Sequence, residues 1–502
     1  MKFEFSSNPL EKISSDVALV FAFAGGKKQK SYIPLESFTK IDTLLDRQLA
    51  KVALLENFTA KKGEMIKIIP QRVIAPSQIV VLGLGEKKDF SLTNFREVIG
   101  SFAKSMHLKI DSASVSLPHT KESGIEISES LHAFVEGAQL GTYVFLKYKK
   151  EETKERKFAN VIIAGQEETK SLKDITQKAQ LYSQATILAR DLVNETPTIA
   201  TPTYLAKLAQ DIAKSSTQIT CTIYSKEEAE KMGMEAFLGI ARASDTPPKF
   251  IHLEYTPKRA SKEKIAIVGK GITFDSGGIN VKPGEHMNDM KMDMAGAAAV
   301  LGVFSVIDAI APETTVIGLI AATSNMISGA SIVPGDIVRA MNGKTIEIGN
   351  TDAEGRVTLA DSLSYALKQG ATQIIDLATL TGACMVALGH DISGLFSNDK
   401  ALAEKVVTAA TAEGEKMWEM PLDKDYKELN KSEVADISNI GQDRYGGAIT
   451  AALFLEEFVD GKPWVHLDIA GPAFSAKGNK LSPAGGTGFG VRTMLKLLDT
   501  FQ

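Results

Sequence analysis

Four acids, Asp275, Asp293, Asp352 and Glu354, stand in loops whose other residues are mostly Gly, Ala, Ser and Thr, and two lysines, Lys270 and Lys282, lie close by in the chain. Aspartate in such loops most often forms turns or caps helices, and each of these acids taken singly reads that way. Gathered in one crevice they would repel one another by several kcal/mol unless cations lay between them. A pair of divalent ions removes that conflict. Hard oxygen donors, no usable thiolate and no histidine pair point to Mn²⁺, Zn²⁺ or Mg²⁺ rather than to copper or an iron–sulfur cluster. His286, near the cluster in sequence, reads as a surface or supporting residue.

These residues need a scaffold that brings them to one place. Strand-type residues Ile265 to Val268 run into Gly269-Lys-Gly-Ile-Thr-Phe-Asp-Ser-Gly-Gly278, then Lys282, then Met292-Asp-Met-Ala-Gly296 at the start of an alanine-rich helix. Loops that leave the carboxyl ends of strands in an open α/β sheet are where ligands bind. Further apolar strands are expected at Val316 to Ala321, Ile374 to Leu377 and Val465 to Ile469, covered on both faces as in a mixed, mostly parallel sheet. Ile337 to Met341 and Lys344 to Ile348 flank Asn342-Gly343, a hairpin signal, whose exit leads into Asn350-Thr-Asp-Ala-Glu-Gly-Arg356.

The first part of the chain alternates β-type runs (Val17 to Phe23, Ile79 to Leu82, Val115 to Leu117, Val161 to Ala164) with charged helical stretches, which predicts a separate α/β domain. The charged stretch Lys147 to Lys157 reads as a solvated loop. A helix over Leu172 to Leu192 ends at the prolines of Asn194-Glu-Thr-Pro-Thr-Ile-Ala-Thr-Pro202. The expected organisation is a smaller N-terminal α/β domain (1–170), a linker helix (171–200) and a larger C-terminal α/β domain (201–502) around the mixed sheet.

A chain of 502 residues exceeds what one core usually supports. With 44% hydrophobic residues, 24% charged residues and a net charge of −4, it carries no basic surplus for nucleic acid. Cys221 and Cys384 are too far apart for a CxxC pair, which excludes a disulfide framework and a thiolate zinc site and fits a reducing cytoplasm. The apolar run from Val17 to Ala24 follows Glu4 and Glu11; it is too short and wrongly flanked for a signal peptide or membrane span.

The segments Gly269 to Gly278 and Asn350 to Arg356 resemble the two signature segments of the leucine aminopeptidase (cytosol aminopeptidase) family, the second very specifically. Supporting matches are Arg190-Asp-Leu-Val-Asn194, Asp376-Leu-Ala-Thr-Leu-Thr-Gly382 and Trp464-Val-His-Leu-Asp-Ile-Ala-Gly471. The resemblance implies a two-metal aminopeptidase acting on short peptides with Leu or another apolar first residue. It implies one metal on Asp275, Asp352 and Glu354 and the other on Lys270, Asp275, Asp293 and Glu354, with Lys282 and Arg356 catalytic. Arg356 would hold a bicarbonate that serves as general base. Substrate contacts are expected from Lys282, Asp293, Met290, Thr379, Leu380 and Gly382, with Met385 nearby, although methionines at such positions are more often plain core. A cytoplasmic homo-hexamer, a dimer of trimers, is implied as well. Pro472 after Asp-Ile-Ala-Gly and Ile327-Ser328 in place of a frequent Pro-Gly depart from the family and bear on pocket shape. Asp361 lies outside the motif.

Other motifs carry less. Gly83-Leu-Gly85 has no third glycine and is followed by Glu86-Lys-Lys88, and Gly269-Lys270-Gly271 lacks the Ser or Thr of a phosphate loop. Carboxylate-rich two-metal sites also serve phosphoester hydrolysis, against which a lysine ligand argues.

Overall fold

Val17–Ala24 is buried along both of its faces. Val17, Leu19, Phe21 and Phe23 enter one apolar cluster and Ala18, Val20 and Ala22 another, as the two-residue period of a central strand requires. In a computed structural model describing residues 1–26, 32–71, 73–150, 158–259 and 262–501, this strand centres a seven-stranded sheet. Lys2–Ser6, Asn160–Ala164, Ser112–Val115, Val17–Ala24 and Gln78–Glu86 lie side by side in parallel, with Met65–Ile68 and Tyr32–Pro34 added antiparallel. The strand expected at Val115 to Leu117 lies earlier, at Ser112–Val115. Its small residues let Ser114 meet Ser15, with their hydroxyls 2.9 Å apart. Residues 151–157 of the charged stretch lie outside the described residues.

The chain divides into one unit of Met1–Ser183 with Gly478–Pro483 and a second of Gln184–Lys477 with Ala484–Gln502; the helix Lys170–Asn194 contains the division. The second unit holds an eight-stranded mixed sheet ordered Lys416–Glu419, Ile392–Ser397, Trp464–Asp468, Gln373–Ala378, Lys264–Asp275, Thr315–Asn325, Lys249–Tyr255 and Ile219–Tyr224. Its middle four strands run parallel, and antiparallel neighbours flank them. Thr315–Asn325 is buried at every residue, so its apolar run has no polar face. The Asn-Gly hairpin forms between Ile337–Arg339 and Thr345–Glu347, with Gly343 at φ 93°. Among the described residues, no helix is long and apolar enough to cross a membrane.

Candidate active site

The strand Lys264–Asp275 places Lys270 within the sheet and Asp275 at its carboxyl end. Its register against Thr315–Asn325 shifts by one residue between Ile272 and Asp275, a bulge that re-aims the last side chain. Asp275 thereby pairs with Asn325, whose Nδ2 donates to Asp275 Oδ1 at 2.8 Å and to the Thr351 carbonyl at 3.0 Å. Asp293 sits in the 3₁₀ turn Met290–Met294, and Glu354 opens the helix Glu354–Lys368. Thr351 locks the two signature segments together. Its hydroxyl donates to the Gly277 carbonyl at 2.6 Å, and its N–H donates to Asn280 Oδ1 at 2.9 Å. Glycine is required beside Glu354, because a Cβ on Gly355 would stand 2.5 Å from Lys270 Cε.

Carboxylate oxygens of Asp275, Asp293 and Glu354, all buried, come within 4.8 Å of one another. The two lysines are interleaved with the acids. Lys270 Nζ lies 2.8 Å from both Asp293 and Glu354, and Lys282 Nζ lies 2.8 Å from Asp275 and 2.6 Å from Asp352. Asp352 thus joins the cluster through Lys282, at its more exposed edge.

The electrostatics follow from this crowding. Burial pushes the Asp293 carboxyl well above the usual range, helped by Glu354 and Asp275 and opposed by Lys270. Glu354 and Asp352 are raised for the same reason, burial first and Asp275 adding to it. Burial works to lower both lysines, yet their carboxylates outweigh it and hold each above its ordinary value. Four acids against two ammonium groups leave negative charge uncompensated in a low-dielectric site. Glu354 Oε2, buried, has no hydrogen-bond partner among the described residues. An acid-rich pocket with an unsatisfied carboxylate oxygen fits divalent cations of the hard-ligand class.

The cluster forms one wall of a cavity of about 470 Å³. Lys270, Asp275, Lys282, Asp293, Asp352 and Glu354 line it together with Met290, Thr379, Leu380, Gly382 and Met385, so all but one of the residues expected at the site meet there. The exception is Arg356, which is buried beyond the lining, its Nε without a hydrogen-bond partner among the described residues. Burial brings its guanidinium down to about 10. His286 lies on the exposed rim. Sequence reasoning missed Asn325 and Asn439, which hold the site from behind. Asn439 Oδ1 accepts the Gly349 N–H and its Nδ2 donates to the Asn350 carbonyl, both at 2.8 Å. Neither lies in a motif, and each acts across a long sequence separation. Asp376 and Trp464, noted only as supporting matches, are bonded to each other within the sheet, Trp464 Nε1 donating to Asp376 Oδ2 at 2.7 Å.

The chain matches two family models, the cytosol aminopeptidase family N-terminal domain over residues 19–152 and its catalytic domain over residues 187–495. It is 41% identical to a protein named "Probable cytosol aminopeptidase" from Alkaliphilus oremlandii, over 100% of both chains. A protein of the same name from Aquifex aeolicus is 44% identical, covering 97% of this chain and 96% of its own. Among solved structures, a tomato leucine aminopeptidase variant superposes with a TM-score of 0.89 at 36% identity, covering 100% of this chain and 96% of that one. The bottromycin maturation enzyme BotP in complex with Mn gives 0.84 at 31% identity, covering 97% and 99%.

Proposed function

The chain belongs to the cytosol aminopeptidase family, and from that premise we propose that this aminopeptidase removes Leu and other apolar residues from the N-termini of short peptides by two-metal hydrolysis. The observation that carries the reading is the convergence of buried Asp275, Asp293 and Glu354 with Lys270, leaving Glu354 Oε2 unsatisfied. Bound there, two divalent ions (Mn²⁺ or Zn²⁺, with Mg²⁺ an alternative at one position) supply Lewis acidity and an activated water. Asp275, Asp352 and Glu354 would hold one ion. Lys270, Asp275, Asp293 and Glu354 would hold the other, so Asp275 and Glu354 are shared. The similar BotP structure contains Mn, which agrees with this donor set.

Each side chain then has a separate task. Lys270 must surrender its proton to offer a lone pair, so ligation and its present role as counter-charge are alternatives. Lys282, once released from Asp275 and Asp352, would keep its charge and stabilise negative charge developing on the scissile carbonyl. Arg356, a buried cation with a free Nε, is the residue to hold a bicarbonate general base. Met290, Leu380, Met385 and Phe474 give the cavity an apolar side, which suits a leucine-sized first residue. Cytoplasmic location and a hexamer built from two trimers complete the proposal; light scattering on active enzyme at micromolar concentration should give the hexamer's mass, and a monomer would refute it.

The test is exhaustive chelation followed by a panel of aminoacyl amides assayed with Mn²⁺, Zn²⁺ or Mg²⁺. Activity should vanish and return with Mn²⁺ or Zn²⁺, greatest for Leu. Full activity in metal-free protein would exclude the two-metal reading, and preference for charged first residues would exclude the assigned specificity.

A further inference from the structure

Behind the cavity wall stands a carboxylate that the chemistry above does not use. Asp468 ends the strand Trp464–Asp468 and pairs in register with Ala378, the last residue of Gln373–Ala378. It is completely buried. Its Oδ1 accepts the N–H groups of Leu380 at 3.2 Å, Thr381 at 3.4 Å and Ala470 at 3.2 Å, and its Oδ2 accepts the Thr381 hydroxyl at 2.6 Å. The loop that follows Ala378 is therefore tied down by a single side chain from the neighbouring strand. Thr381 in turn caps the helix Gly382–Leu388, accepting the Cys384 N–H at 3.0 Å.

The other end of this short loop touches the acid cluster. The Thr379 carbonyl accepts from Lys270 Nζ at 2.9 Å, and the Thr379 hydroxyl donates to Asp293 Oδ1 at 2.7 Å. From Thr379 to Thr381 is two residues, too short a path to absorb a displacement. We propose that Asp468 is a positioning residue: by fixing the Thr379 to Thr381 loop, it sets the placement of Lys270 and Asp293 and so the affinity of the metal position they share. This inference rests on the two-metal reading. Two acceptor oxygens are what the arrangement needs, since Asn would turn an N–H toward the Thr381 hydroxyl, where an acceptor now stands.

A second buried carboxyl group in the same unit serves as reference. Glu415, also buried, accepts the N–H groups of Gly490 and Thr493 at 3.1 Å and the Thr493 hydroxyl at 2.6 Å. Its partners belong to the C-terminal helix Val491–Leu498 and the residue before it. Glu415 also lies 3.5 Å from the Arg492 guanidinium, so Glu415→Gln exchanges a buried carboxyl for an amide as Asp468→Asn does, and breaks an ion pair besides, but away from the site's loop.

The experiment titrates chelated full-length protein with Mn²⁺, following free Mn²⁺ by its paramagnetic resonance signal, with thermal unfolding recorded for every variant. Asp468→Asn should weaken Mn²⁺ binding at one of the two positions by roughly 10- to 100-fold, the usual cost of losing a group that orients a ligand, while Glu415→Gln stays within about twofold of wild type by the same measure. Equal affinity in Asp468→Asn and wild type, or an equal loss in both variants, would overturn the inference. Should Asp468→Asn fail to fold, Thr381→Val removes the hydroxyl that Asp468 holds; wild-type Mn²⁺ affinity there overturns the relay, and a loss like that expected of Asp468→Asn supports it. Wild-type protein that takes up no Mn²⁺ would fail differently, by removing the two-metal reading itself.

Discussion

Both units carry acidic residues in a cleft at the carboxyl ends of parallel strands, yet the two clefts differ in one physical respect. In the first unit Glu36, His119 and Glu122 bring ligand-type atoms within 4.8 Å of one another, beside a cavity of about 260 Å³ that follows Lys2–Ser6, Ser112–Val115 and Asn160–Ala164. The Glu36 side chain is 78% exposed and that of His119 is 39% exposed. In the second unit the side chains of Glu354 and Asp275 are 1% and 2% exposed. Water screens the first group, whose polar contacts at the surface are worth little. Burial denies the second that relief, so its acids are driven to share protons, lysines or metal ions. Clustering brings the acids together in both clefts; burial distinguishes the cleft for which metal ions are proposed.

The comparison breaks most sharply at Glu354. Glu354→Gln leaves a neutral amide where the two-metal proposal requires a shared carboxylate, and should on that proposal lower kcat/KM by more than about 10³-fold, beyond the loss of a single oxyanion donor. Steady-state kinetics on leucine amide measures this, and a loss under tenfold would contradict a shared ligand role. Next come the lysines. Lys270→Arg cannot coordinate and should cost one metal per chain by elemental analysis; two tightly held metals would refute Lys270 as ligand. Lys282→Arg should retain both metals and lose mainly kcat. Lys282→Ala should lose roughly 2.7 to 4 kcal/mol of transition-state stabilisation.

A smaller effect tests burial without metal. Asp361 is completely buried on the same helix as Glu354, its oxygens accepting the N–H groups of Phe237 at 2.8 Å and Met341 at 2.7 Å. Burial pushes its carboxyl up to about 7. A folded-state value above that of the unfolded chain means the folded form holds the proton more tightly, so stability falls as pH rises from about 4 to about 7 and levels off above. Unfolding free energies of wild type and Asp361→Asn across that range should diverge with a slope of up to about 1.4 kcal/mol per pH unit. Parallel curves would show that the carboxyl titrates normally.

Asp361 also marks where the sequence ceased to be readable. Lying outside the motif, it looked like an unremarkable neighbour of Glu354; its burial comes from the hairpin and the helix Glu235–Ala241, which meet it from more than a hundred residues away on one side. The four acids and two lysines were legible because their glycine-rich loops and spacing repeat a known pattern. The central strands were legible because their apolar runs lack a polar face. Lys249–Tyr255 and Ile219–Tyr224 were not, since their alternating or part-exposed residues acquire meaning only against Thr315–Asn325. Asn325 and Asn439 escaped for the same reason, as polar side chains whose partners are 26 to 90 residues distant, and Asp468 stood in a supporting segment without a role because its Leu380 and Thr381 partners are 88 and 87 residues away.

The smallest effect expected is in the first unit's cleft, and it decides whether burial is the right criterion. Glu122 accepts the Glu36 N–H at 2.6 Å and its carboxylate lies 3.4 Å from His119 Nε2, so the group is already satisfied by a helix end and a neighbouring imidazole. The double variant Glu36→Gln, His119→Ala removes the two most exposed donors while sparing that bond. It should shift stability by no more than about 0.5 kcal/mol, as surface substitutions do, and leave kcat/KM within about twofold, a difference of about 0.4 kcal/mol. Elemental analysis gives the stricter measure. If only buried acids gather ions tightly, wild type and the double variant both hold two metals per chain; three in wild type falling to two in the variant would show that an exposed His and two Glu suffice, and the contrast between the two clefts would fail.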